Sequence, residues 1–304
     1  MKRAYQIVDR LVTPSPDGHG NIVLYTNPDD QERRFLIDEL RIDDHTLNSA
    51  LDPDELARVE FEPEHTALIF KRPKNYSSAD QLLFGVGSTG VFLFRDGLRI
   101  VARDEIPLFD GGGRQRVDSL SGVILRVMAR TVVHFREHLR AINMVSDDLQ
   151  GEINRSMENR HLIGMFTLEK SLVYYVSALH SNGALLEKLK HNAGKLGFGP
   201  DEMEILDDLV IDNTQCARQA EMTSNILASL MDARASIVAN NINVLMKRLN
   251  VITIAIMVPT LVVSAFSMNV PIPFQERGWA FYAIHVVALL SAGTFLYMWK
   301  RFFG

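Results

Sequence analysis

Read from its C-terminal end, the chain shows two apolar runs of membrane length. From Leu249 to Gln275 no residue is charged, and the apolar part of that run is VITIAIMVPTLVVSAF, Val251 to Phe266. From Gly278 to Trp299 the only residue that can take up a charge near neutral pH is His285. A membrane-crossing helix needs about 20 apolar residues, and both runs reach that length. Two buried core helices are the alternative, but core helices this long normally keep charge on one face. Trp279, Tyr282, Tyr297 and Trp299 fall where interfacial aromatic anchors belong.

Upstream, Gly197, Gly199 and Pro200 break the chain, and no further Gly or Pro occurs before Pro259. This predicts one helix from Asp201 to Val258, about 87 Å long, with Asp201, Glu202 and Glu204 favouring its first turn. Two stripes at 3,4 spacing run along it. Met231, Ala235, Val238, Ile242, Leu245, Leu249, Ile252 and Ile256 form an apolar seam suited to packing on other helices. Beside it lie Asp232, Ser236, Ala239, Asn243, Met246, Asn250, Thr253, Met257, Thr260, Ser264 and Ser267, mostly small and polar, continuing into the membrane run. A polar face inside a membrane points to a bundle interior or a water-filled path; the competing reading is a small-residue packing face. One such helix cannot enclose a path, so the pattern implies a cyclic homo-oligomer with one stripe per subunit. No Asp or Glu lies between Asp232 and Glu276. A path lined by amide and hydroxyl oxygens suits a cation that keeps much of its hydration shell, and Mg²⁺ sheds water reluctantly.

The N-terminal half reads differently. Short strands are predicted at Ile22–Tyr25, Arg58–Phe61, Thr66–Lys71, Gln81–Phe84, Gly90–Arg95 and Leu98–Ala102, with a short helix over Asp52–Arg58. From Asp118 to Lys190 the chain is charged and amphipathic, as for two long antiparallel helices broken near Asn159–His161. The expected organisation is a small α/β domain over 1–113, amphipathic helices over 114–200, a stalk helix over 201–250 and a membrane hairpin over 251–304. Within the hairpin the spans fall at 251–270 and 279–299, joined by a loop over 271–278. The fold class is therefore an α+β domain carrying a stalk helix and two C-terminal transmembrane helices.

Composition alone would hide this division. The 304 residues have a net charge of −5 and 47% hydrophobic residues, as in an ordinary soluble protein, and mean hydropathy is +0.01. Residues 249–304 carry Glu276 against Arg277, Lys300 and Arg301, a balance of +2, which leaves −7 on the rest. That acidity argues against a nucleic-acid partner, and Cys216, the one cysteine, excludes an intrachain disulfide framework. Lys247 and Arg248 before the first span, with Lys300 and Arg301 after the second, place both termini in the cytoplasm of an inner-membrane protein. MKRAYQIVDR has no apolar stretch of signal-peptide type.

Two strings look catalytic. Gly85-Val-Gly87-Ser-Thr-Gly90 matches a dinucleotide fingerprint, but β-rich sequence follows it where a phosphate-binding helix is required, so a loop between strands is expected. His134-Phe-Arg-Glu137-His138 matches a zinc-peptidase string without an identifiable third ligand, and is expected on a solvated helix face. Neither points to an enzyme.

Ser267-Met268-Asn269 ends the first span and is followed by Val270-Pro271. With Asn243–Leu249 (NVLMKRL) and Val258–Asn269 (VPTLVVSAFSMN), it resembles the CorA family of divalent metal ion transporters, which carries Gly-Met-Asn at this place and Gly-Val-Asn in a zinc-transporting branch. Here Ser267 replaces the glycine and the proline is displaced by one position. The resemblance implies a funnel-shaped homopentamer that passes Mg²⁺ or another divalent cation (Co²⁺, Ni²⁺, Zn²⁺). By position, Asn269 would form an asparagine ring at the outer mouth. Met268, Ser267, Thr260, Met257, Thr253, Leu249, Met246 and Asn243 would follow it inward, with Met246 and Leu249 as a hydrophobic constriction. Asp232 would be an acidic ring at the cytoplasmic end. Asp208, with Asp80 as the nearest candidate partner, would belong to an intersubunit regulatory metal site that holds the pore closed. Two other readings compete: proton-coupled zinc transport, for which His285 is the proton-active group within a span, and a membrane-anchored sensor that conducts nothing.

Overall fold

The computed structural model describes residues 1–76, 82–105, 117–155, 159–268 and 277–302. The chain divides into two units, Met1–Met231 and Asp232–Gly304.

The first unit is built on a seven-stranded sheet of β1 (Lys2–Val8), β2 (Leu11–Pro14), β3 (Ile22–Thr26), β4 (Arg58–Phe61), β5 (His65–Pro73), β6 (Val86–Phe94) and β7 (Leu98–Ala102). Their order is β2-β1-β3-β7-β6-β5-β4. Only β3 and β7 run parallel, with Ile22 opposite Leu98 and Thr26 opposite Ala102; every other pairing is antiparallel. Alternate side chains of a strand face opposite ways, and here both faces are covered. Ile22, Leu24, Leu68, Phe70, Leu98 and Ile100 pack on one side with Val123, Ile124, Leu172 and Tyr175 of the long helices. Val23, Tyr25, Ala67, Phe92 and Val101 pack on the other with Leu36, Ile42, Leu47 and Ala50. Two-sided burial explains why β3 and β7 read as continuous apolar runs.

The far face is closed by α1 (Asp30–Arg34), which continues as a π-helical turn over Phe35–Glu39, and by α2 (Asp44–Leu51). Each helix starts on an aspartate. Asp29 accepts from the Glu32 amide at 2.8 Å while the Asp29 amide donates back to Glu32 at 3.1 Å, and Asp43 accepts from the Thr46 amide at 3.2 Å. These caps satisfy amides that the first turn leaves open. The expected helix over Asp52–Arg58 does not form. Asp52 precedes Pro53 and is extended, with φ −84° and ψ 118°, as the proline ring requires; the helix is the segment just before it.

Several other expectations change. β1 and β2 went unread, and they form a hairpin closed by Asp9 and Arg10, both at positive φ (50° and 65°). Gln81–Phe84 was expected as a strand. Gln81 lies outside the described residues, Leu82 sits at φ 70°, and the Phe84 amide donates to Ser171 Oγ at 2.9 Å instead of to a strand. The glycine string is not a loop: Gly87 and Gly90 lie inside β6. A Cβ on Gly90 would sit 2.5 Å from the Ala50 Cβ, so that glycine admits α2 against the sheet rather than a phosphate.

The near face carries α3 (Leu120–Arg155) and α4 (Asn159–His191), the two long helices expected there. Where β4 ends, the backbone of β5 lacks a strand neighbour at Lys71. Asn182 of α4 replaces it, accepting from the Lys71 amide and donating to its carbonyl, both at 2.8 Å. A four-residue turn α5 (Ala193–Leu196) ends on Gly197 in the left-handed conformation. Then α6 (Pro200–Phe266) begins, with Asp201 and Glu202 in its first turn. It runs on through Pro259, which the interior of a membrane span tolerates, and its 67 residues span about 100 Å. Its first turns contribute Leu206, Leu209, Cys216 and Ala217 to the core of the first unit. The remainder of α6, with α7 (Ala280–Phe302), makes the second unit.

Candidate functional site

Among the described residues three helices have the length and composition to cross a membrane: α4, α6 and α7. They differ in burial. The most apolar stretch of α4 is 39% buried, against 0% for α6 and 6% for α7, so α4 serves the core and the other two present apolar surface outward.

The second unit has an inner and an outer side. Past Leu249 the positions of α6 that are not exposed are Val251, Ala255, Val258, Pro259 and Val262; on α7 they are Ala280, Ala283, Ile284, Ala288, Ser291, Ala292, Phe295 and Trp299. Each set follows helical spacing, so these are the faces the two helices turn toward each other. At about 100° per residue, Thr253, Met257, Thr260, Ser264 and Ser267 lie on the opposite side of α6. The polar stripe is therefore the face that α7 leaves open. Asn243, Met246, Leu249, Thr253, Met257, Thr260, Ser267 and Met268 are all exposed, Leu249 at 55% and Met257 at 60%. From Ile242 onward the neighbouring apolar seam is equally bare, with Leu245 62% and Ile256 63% exposed.

Three hydroxyls of the stripe share one geometry. Thr253 donates to the Leu249 carbonyl at 2.9 Å, Thr260 to Ile256 at 2.6 Å and Ser267 to Val263 at 2.8 Å. Such i−4 bonds place the hydroxyl proton in the helix. What the oxygen then offers outward is lone pairs: a row of acceptors, the right polarity for a cation or for the waters around one. Asn269, the expected outer ring, lies outside the described residues.

In the first unit, Asp208 is exposed and lines an open cleft of about 710 Å³ with Asp118, Asp201, Glu202, Asp212, Arg10 and Arg126. Several of these acids already have partners: Asp118 with Arg10 at 2.5 Å, Asp212 with Arg136 at 3.6 Å and Glu202 with Ser119 at 2.8 Å. Among the described residues no three His, Cys, Asp or Glu side chains converge to hold a metal. Asp232 is exposed, and Asp80 lies outside the described residues.

The peptidase string is not on a solvated face. Glu137 is exposed, but His134 and His138 turn inward, their rings 4.3 Å apart. His138 Nδ1 lies 2.6 Å from the Tyr175 hydroxyl, and its ring meets Phe84 edge-on at 5.4 Å. Burial above all, then His138, Arg72 and Arg130 nearby, lowers the His134 pKa to about 4. These are neutral packing histidines.

One contact escaped sequence reasoning: Lys247 Nζ stands 5.4 Å from the centroid of the Trp299 ring. The two residues were legible only as separate flanks of their spans, because pairing them requires the hairpin register.

The comparisons with known proteins agree with this layout. A family model described as CorA-like Mg²⁺ transporter protein matches residues 18–301. The cobalt/magnesium transport protein CorA of Methanocaldococcus jannaschii is 22% identical over 295 residues, covering 90% of this chain and 88% of its own. The complete structure of the CorA magnesium transporter from the same organism superposes with a TM-score of 0.82 at 18% identity, covering 99% of this chain and 98% of that one. The full-length CmaX structure gives 0.67 at 13% identity, over 90% and 88%. The structural likenesses carry the fold, and the family model carries the membership: this chain belongs to the CorA-like Mg²⁺ transporter family, whose members are divalent-cation transporters and not enzymes.

Proposed function

We propose that the chain assembles as a homopentamer in the inner membrane, termini in the cytoplasm, and passes Mg²⁺ or another divalent cation along the polar stripe of α6. The observation that carries this reading is the orientation of the stripe. It faces away from α7 and is lined by hydroxyl oxygens whose protons are committed to the helix. The bare seam of Leu245, Ile252 and Ile256 beside it supplies the surface on which neighbouring copies of α6 would pack.

In this arrangement Asn269 meets the hydrated ion at the outer mouth. Met268, Ser267, Thr260, Met257 and Thr253 line the way inward, Leu249 and Met246 form the narrow apolar section, and Asn243 and Asp232 follow. A lining of neutral oxygens exchanges hydrogen bonds with the ion's water shell rather than stripping it, which suits Mg²⁺. Asp208 would contribute to a regulatory metal site completed by a second subunit, with Asp80 as its candidate partner. Bridging acidic faces would hold the closed state, and loss of metal would release it.

The test is divalent-cation entry into proteoliposomes loaded with a Mg²⁺- or Co²⁺-sensitive dye. Wild-type protein is expected to admit the ion and Asn269→Ala to reduce entry at least tenfold. Undiminished entry in the variant would remove Asn269 from the path, and no entry of any divalent ion would remove the transport reading. Flux that requires an imposed pH gradient would instead favour proton-coupled zinc transport.

A further inference from the structure

Within the second unit, Val244, Lys247, Arg248, Val251 and Ile252 of α6 and Trp299 of α7 line an open groove of about 470 Å³. The α6 positions follow i, i+3, i+4, i+7 and i+8, one continuous face of the helix. Its walls are apolar, and its charged members are both cations. One of them, Lys247, stands 5.4 Å from the Trp299 ring centroid, a cation–π distance. Lys300 and Arg301 follow Trp299 directly. The whole second unit carries six Lys and Arg residues against two Asp and Glu.

The level of the groove matters as much as its chemistry. Lys247 precedes Ser267, the residue after the end of α6, by twenty positions, and Trp299 follows Trp279, the residue before the start of α7, by twenty. Each interval spans about 30 Å, the thickness of a hydrocarbon core. If the hairpin crosses the bilayer as proposed above, the groove sits at the hydrocarbon–headgroup boundary. Lys and Arg there extend toward phosphate level while their stems stay in apolar surroundings, and basic pockets between membrane helices recognise anionic headgroups.

We infer that this groove binds an anionic phospholipid, its phosphate held by Lys247 and Arg248 and its upper acyl chain lying along Val251 and Trp299. Free phosphate shares the charge but not the chain, and the apolar wall has no function toward it. The groove opens on the α7 side of α6, opposite Thr253 and Thr260, so a bound lipid stays clear of the ion path.

The chain has two tryptophans, which supplies an internal reporter. In full-length protein carrying Trp279→Phe, Trp299 is the sole indole. Reconstituted with brominated phosphatidylglycerol or brominated phosphatidylcholine in a non-quenching background, its fluorescence reads lipid occupancy of the groove. The expected result is a preference for phosphatidylglycerol of roughly fivefold to thirtyfold, the range for one or two basic residues acting at the surface. Lys247→Gln with Arg248→Gln is expected to bring the two lipids to parity, with the oligomer unchanged by size-exclusion chromatography. Equal quenching of the parent by both lipids, an undiminished preference in the double variant, or displacement by millimolar inorganic phosphate would each overturn the assignment. None of these outcomes touches ion flux through Asn269. Conversely, no quenching by either lipid would place Trp299 outside the bilayer and overturn the membrane reading together with this one.

Discussion

The two units use the same apolar side chains for opposite purposes. In Met1–Met231, Leu68, Phe92 and Ile100 are at most 1% exposed, and in Asp232–Gly304, Leu261 and Leu289 are 72% exposed. Charge divides the same way: the second unit is +4, leaving −9 on the first. The first unit hides apolar surface from water inside a sheet covered on both faces. The second shows it outward, which is stable only where the surroundings are themselves apolar. Burial in one unit and exposure in the other are thus the same hydrophobic effect acting against two solvents.

Truncation in the sheet core should give the largest response. Phe92→Ala removes a fully buried ring from the far face of the sheet, where such truncations cost about 3–5 kcal/mol. Urea or thermal unfolding of the first unit should shift accordingly, while membrane insertion of the hairpin stays as in the parent. A loss of insertion would mean that the two units are not energetically separable. The converse change comes next. Leu290, 64% exposed in mid-α7, would tolerate arginine almost freely on a water-facing surface. In a bilayer Leu290→Arg should cost about 2.5–3.5 kcal/mol of apparent insertion free energy in a translocation reporter. Insertion at the parental level would contradict the assignment of α7 as a span.

A smaller effect tests the water-facing unit through pH. His134 is held neutral by burial, and His138, Arg72 and Arg130 oppose its protonation further, giving a pKa of about 4 against about 6.5 for an unfolded histidine. Above pH 6.5 neither state carries the proton and this contribution to stability is complete. Between pH 6.5 and 4 the unfolded chain binds a proton that the folded chain refuses, so stability falls as pH falls. Melting temperatures measured across this window should drop less steeply for His134→Gln than for the parent; identical slopes would show that the histidine is protonated without penalty.

What was legible in the sequence follows the same division. The hairpin and the long helix could be read because a membrane demands long uncharged runs and a helix this long needs freedom from Gly and Pro. β3, β4 and β7 were legible as compact β-rich runs. β1 and β2 were not, because a half-buried edge hairpin mixes Lys2, Arg3 and Gln6 with its apolar positions and turns on Asp9 and Arg10 in place of glycine. α2 was hidden because eight residues hold barely two turns of pattern, and the acidic Asp52–Arg58 nearby imitated a helix start. At the candidate site, the stripe could be drawn from spacing alone. Which side of α6 it occupied relative to α7 depended on the register between two helices, and local pattern does not encode that.

The stripe also permits a prediction in which the two solvents should give the smallest difference of all. Thr260→Val keeps the β-branched shape and removes one hydroxyl. In an ion path that hydroxyl has two functions, and they separate. Its proton is bonded to the Ile256 carbonyl at 2.6 Å, an internal contact available at any depth, so the helix loses one local bond worth about 1 kcal/mol or less. Insertion and oligomer formation should therefore match the parent closely. The outward oxygen is a different matter. If the open side of α6 lines a water-filled path, replacing an acceptor with a methyl group removes a partner from the hydration shell in every subunit at once, and divalent-cation entry should fall several-fold. If that side instead packs against protein, the valine should pack at least as well as threonine, and no transport change is expected. Reduced flux with unchanged assembly is the outcome specific to a path; unchanged flux with equal or better thermal stability would reassign the stripe to helix packing.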